Sequence, residues 1–102
     1  MNVKYQKSRD SVTIFLEGEL DEYSAGTTRA TLDDLILDNI NAKNFIFDMS
    51  EITFMDSTGI GLLIGRYKKI KQFGRQAYIQ NATIAAEKVI QLAGLYKIMP
   101  KF

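Results

Sequence analysis

Polar and apolar positions change their period several times along the chain, and each change predicts an element. Val3 and Tyr5 alternate weakly with polar neighbours over 3–7, and Val12, Ile14 and Leu16 alternate with Thr13, Phe15 and Glu17 over 12–17. A period of two is the pattern of a strand, and Ser8-Arg9-Asp10-Ser11 between the two runs is turn chemistry, so the chain opens on a predicted antiparallel hairpin. From about Tyr23 to Ile40 the apolar positions Ala25, Leu32, Leu35, Ile36 and Ile40 follow helical spacing. Phe45-Ile46-Phe47-Asp48-Met49 is a nearly continuous apolar run, which suits a central strand covered on both faces, and a loop is expected over 50–56. Ile60, Leu63, Ile64, Tyr67 and Ile70 predict a second helix over roughly 57–72, with Arg66, Lys68, Lys69 and Lys71 on its solvated face and Phe73-Gly74 as its stop. Gln76 to Gln80 reads as a short strand, and Thr83 as the N-cap of a helix that carries Ile84, Val89 and Leu92 and closes at Gly94. Tyr96 to Met99 reads as a last edge strand stopped by Pro100. Tyr67, Phe47 and Phe54 fall in apolar patterns and are expected in the core.

The order β-β-α-β-α-β-α-β implies an α/β fold, a mixed and mostly parallel sheet of four to five strands with helices packed against it. A length of 102 residues fits a single domain spanning 1–102. Thirteen basic residues against twelve acidic ones leave a formal charge of +1, which gives no support to a nucleic-acid or membrane partner. The chain has no cysteine and no histidine, which removes disulfides, thiol nucleophiles, Cys/His zinc sites and every imidazole-based triad. No metal, cofactor, catalytic residue or required small-molecule ligand is expected. The N-terminus alternates instead of forming an apolar stretch, so neither a signal peptide nor a membrane span is expected and the default location is cytoplasmic.

The segment Asp56-Ser57-Thr58-Gly59-Ile60-Gly61 lies where a loop is expected to enter the second helix. Helix starts offer unpaired N–H groups and a positive dipole end, so a phosphate on Ser57 would be accommodated there. The same residues also fit a plain reading in which Ser57 is an N-cap and Asp56 a dipole-favoured acid. Gly61 and Gly65 form a smooth stripe open to the sheet or to another protein, and Gly59 leaves the backbone around Ser57 uncovered. A nucleotide-cradling loop is disfavoured, because the G-x-x-x-x-G-K-[ST] pattern is absent. Glu19, Asp21 and Glu22 form an acidic turn that either faces a partner or starts the first helix, with Asp21 or Ser24 as its cap. Asp48 and Glu51 are two further carboxylates near the segment, expected to be structural.

Phe54 to Gly61, continuing Leu62-Leu63-Ile64-Gly65-Arg66-Tyr67-Lys68, resembles the signature of STAS domains of the anti-sigma-factor-antagonist type. Gly18-Glu19-Leu20-Asp21 resembles that family's turn after the second strand, and Leu92-Ala93-Gly94-Leu95-Tyr96-Lys97-Ile98 its late element. The resemblance implies a STAS-like fold and a partner switch that is not itself an enzyme. An anti-sigma factor with serine kinase activity would phosphorylate Ser57, the unphosphorylated chain would bind that anti-sigma factor and release the sigma factor, and a serine phosphatase would restore the binding form. It also implies a partner surface of Asp21, Asp56, Ser57, Thr58 and Gly59. Thr58 stands where relatives often have serine and is a second candidate acceptor. Members of the family usually carry a last helix beyond the point where Phe102 stands. Alternatives are a STAS subunit of a stress-signalling or lipid-transport assembly and, more remotely, a weak nucleotide-binding protein.

Overall fold

In the computed structural model, which describes residues 1–102, every second residue of the second strand is driven inward: Val12, Ile14 and Leu16 are essentially inaccessible. The elements are β1 (Asn2–Lys7), β2 (Ser11–Leu20), α1 (Glu22–Asp38), β3 (Asn44–Met55), α2 (Ser57–Gln72), β4 (Gln76–Gln80) and α3 (Ile84–Ala93). The sheet order is β1-β2-β3-β4; β1 pairs antiparallel with β2, and β2–β3 and β3–β4 are parallel. The mixed, mostly parallel sheet is as expected. Ala25, Leu32 and Ile36 of α1, Ile60, Leu63 and Ile70 of α2, and Ala86 and Ile90 of α3 are buried. All but Ala25 join one cluster with Ile14, Phe45, Phe47 and Ile79 of the sheet.

Four expectations change. The loop expected over 50–56 is largely strand, since β3 continues to Met55 alongside Glu17–Leu20 of β2. Register shifts between Phe15 and Glu17 and between Gly18 and Glu19 break the period-two pattern there, with Gly18 at φ +110, a conformation natural only to glycine. The strand expected over 96–99 is a 3-10 turn, Leu95–Lys97, following Gly94 in the left-handed region. The free edge of β4 is instead covered after the proline, by hydrogen bonds of 3.0 Å from Ile79 N to Pro100 O and 2.9 Å from Phe102 N to Ile79 O. On α3, Ile84 and Leu92 are 86% and 90% exposed, because Ala86 and Ile90 occupy the inward stripe. Arg66 belongs to no solvated face: only 8% exposed, it pairs at 3.0 Å with Asp33 of α1, which Lys69 also meets at 3.2 Å.

Asp48 lies buried on the sheet face opposite the helices. Its carboxylate accepts from Ser50 N, Ser50 Oγ, Gln80 Nε2 and Asn81 Nδ2 at 2.6–3.0 Å, fastening β3 to the end of β4. Burial pushes the carboxyl pKa up, but the hydrogen bonds from Ser50, Asn81 and Gln80 together outweigh it and hold the pKa below the ordinary value. A depressed folded-state pKa gives stability that is present above the unfolded value and lost as pH falls through the folded one. Urea unfolding at neutral pH and at about pH 3 should therefore show an acid loss in the wild-type chain that is smaller in Asp48→Asn. Equal losses in the two would count against this account.

Candidate functional site

Leu20 and Met55 are register partners at the ends of β2 and β3, so the chain leaves both strands at the same level. Each strand is followed by an aspartate in extended conformation that caps the next helix. Asp21 Oδ1 accepts from Tyr23 N at 3.0 Å and Ser24 N at 3.1 Å, while Ser24 Oγ accepts from Asp21 N at 3.1 Å, a complete capping box. Asp56 Oδ1 accepts from Thr58 N at 2.9 Å and Gly59 N at 3.3 Å. Asp56 N reaches Leu20 O at 3.4 Å and ties the two turns together.

This geometry changes the reading of the helix start. Ser57 is the first residue of α2 and not its cap; that role belongs to Asp56. The N–H groups of Thr58 and Gly59 are already bonded to Asp56, so they do not form a vacant cradle for a phosphate. Ser57 is exposed and Thr58 half-buried. Gly59 is buried, and a Cβ there would lie 2.9 Å from both Leu20 Cγ and Leu20 O; its role is to let α2 start hard against the end of β2. A Cβ on Gly61 or Gly65 would meet nothing within 4 Å, so neither serves close packing against the sheet.

The structure thus brings Asp21, Asp56, Ser57, Thr58 and Gly59 together at the ends of two neighbouring parallel strands. Phe54, expected in the core, is 48% exposed beside them, and Tyr23, in the first turn of α1, is 89% exposed. Tyr23 stands out of phase with the inward stripe of Ala25, Thr28, Leu32 and Ile36, a signal present in the sequence.

A family model described as STAS domain matches residues 2–102. The chain belongs to the STAS domain family. It is 28% identical to an anti-sigma F factor antagonist of Paenibacillus polymyxa, over 98% of this chain and 85% of that one. To an anti-sigma-B factor antagonist of Bacillus subtilis it is 27% identical, over 97% and 88% of the two chains. Among solved structures it resembles the anti-sigma factor antagonist SpoIIAA in its unphosphorylated form, with a TM-score of 0.80 at 27% identity over 99% of this chain and 88% of that one. The phosphorylated form of SpoIIAA, a Bacillus cell fate determinant, superposes with a TM-score of 0.71 at 27% identity over 99% and 91%. Within this STAS domain no helix is long and apolar enough to cross a membrane.

Proposed function

We propose that this STAS domain is an anti-sigma factor antagonist. In its unphosphorylated form it binds a kinase-type anti-sigma factor in the cytoplasm and releases the sigma factor, and phosphorylation of Ser57 ends that binding. The observation that carries the proposal is the exposed Ser57 hydroxyl at the first position of α2, flanked by two capped helix starts. It stands in a chain whose neighbour at 27% identity exists in unphosphorylated and phosphorylated forms. The chain is a substrate and not a catalyst in this scheme: Ser57 Oγ takes the γ-phosphoryl group of ATP from the kinase and gives up its proton, and a serine phosphatase later hydrolyses the ester.

A phosphate on Ser57 brings about −1.5 to −2 charges next to the Asp56 carboxylate. With Asp56 already satisfying the helix start, the phosphate projects from the surface and alters charge and fit while the fold is retained. Calorimetry with the anti-sigma factor encoded in the same genome should give binding by the unphosphorylated chain and a loss of it after phosphorylation. Unchanged affinity of the phosphorylated chain would overturn the switch.

A further inference from the structure

The end of the molecule that carries Ser57 also presents three large apolar side chains that a phosphorylation switch does not by itself require. Because β2, β3 and β4 run parallel, α1, α2 and α3 all start at that end, capped by Asp21, Asp56 and Thr83. Thr83 Oγ1 donates to Ile52 O at 2.8 Å and so fixes the start of α3 to β3 just before Asp56. Tyr23 and Ile84 stand in the first turns of α1 and α3 at 89% and 86% exposure, and Phe54 precedes Asp56 by two residues at 48%. Single exposed apolar residues are ordinary; three placed around one candidate site are not.

Charge is polarised in the same place. The segments 17–24, 50–60 and 80–87 that build this end contain no lysine or arginine, although the chain has thirteen. They carry Glu17, Glu19, Asp21, Glu22, Glu51, Asp56 and Glu87; Glu17 and Glu87 pair with Lys4 and Lys101, and the other five make no ion pair. A chain of net charge +1 therefore has one strongly acidic end.

We propose that Tyr23, Phe54 and Ile84 are the apolar anchors of the docking surface, and that the anti-sigma partner meets them with apolar sockets rimmed by lysine or arginine. This rests on the function proposed above. Buried aromatic and aliphatic anchors supply most of the affinity of such interfaces, and complementary charge supplies steering and register. The anchors also give the switch its physical basis. A basic rim alone would attract a phosphate, so the expulsion of the phosphorylated form requires a dry centre. A partner closing on the three anchors strips water from Ser57, which a hydroxyl tolerates and a dianion does not.

The test is calorimetry of the full chain against the kinase-type anti-sigma factor of the same genome, at two ionic strengths. Tyr23→Ala, Phe54→Ala and Ile84→Ala are each expected to lower affinity about tenfold or more. Leu37→Ala serves as control, a residue 52% exposed near the opposite end of α1, and it should bind as wild type. Higher salt should weaken the wild-type complex. Circular dichroism confirms that the exposed substitutions leave the fold intact. Wild-type affinity in all three anchor variants, with binding still weakened by Ser57→Glu, overturns the inference and leaves the switch standing. Salt-independent affinity overturns the basic rim. No binding by the wild-type chain overturns both the anchors and the proposed function.

Discussion

Ser57→Ala is expected to leave the chain folded and to reduce phosphorylation by a kinase-type anti-sigma factor to background. The expectation follows from the division of labour at the start of α2. Asp56, not Ser57, caps the helix, so removing the serine hydroxyl leaves the cap hydrogen bonds at 2.9 and 3.3 Å in place. Stability should change by no more than about 0.5 kcal/mol, as for other surface substitutions. Thr58 is the competing acceptor. It is half-buried and its own N–H is held by Asp56, whereas Ser57 is exposed at the surface. Mass spectrometry after incubation with kinase and ATP should place the phosphate on Ser57 in the wild-type chain. Efficient incorporation at Thr58 in Ser57→Ala would move the site by one residue and sink the assignment.

Gly59→Ala should be the most damaging single-methyl change in the signature segment, and Gly61→Ala the most benign. In an ordinary helix either substitution would stabilise by about 0.5–1 kcal/mol, because glycine has more conformational freedom to lose on folding. At Gly59 the new Cβ would stand 2.9 Å from Leu20 Cγ and 2.9 Å from Leu20 O. The carbonyl is backbone at the end of β2 and cannot swing aside, so the start of α2 has to lift. Overpacking of this kind costs about 1–3 kcal/mol, which outweighs the helix-propensity gain. The lift also displaces Ser57 relative to Asp21, so phosphorylation should slow in the same variant. Gly61 has nothing within 4 Å of its Cβ position, so only the gain remains there. Chemical unfolding of the two variants side by side tests the account, and a Gly59→Ala chain as stable as wild type would show that the contact is not the constraint.

Much of the fold was legible because most of its elements keep a clean period. The strand alternation of Val12, Ile14 and Leu16 and the helical spacing of Ile60, Leu63 and Ile70 each led to buried positions. Legibility failed where local geometry departs from a regular period. The second half of β3 was hidden by register shifts against β2, which leave Ile52 and Met55 buried three residues apart where a regular strand would bury every second one. On α3 two apolar sets compete, and the helix turns Ala86 and Ile90 inward while Ile84 and Leu92 are left outside. Arg66 looked like one more cation of a basic helix face, and only its neighbour across the helix pair, Asp33, explains its burial. At the site, the aspartate-serine-glycine segment was visible from residue types, but the roles were not. A cap and its next residue are distinguished by backbone conformation, and a glycine required for contact differs from an idle one only in what lies opposite.

The Asp33–Arg66 pair bears on how the surface meets a partner. Asp33 lies about 18 Å along α1 from its cap, and Arg66 about 15 Å along α2, at a rise of 1.5 Å per residue. The pair therefore joins the two helices at similar depth below their caps. Sliding one helix past the other would part the largely buried Arg66 guanidinium from the Asp33 carboxylate, which is unfavourable. The spacing between Asp21 and Ser57 is thus held by a brace buried well away from either residue. A recognition surface braced in this way is preorganised: little ordering remains to be done when a partner arrives, and more of the contact energy is left to hold the complex together.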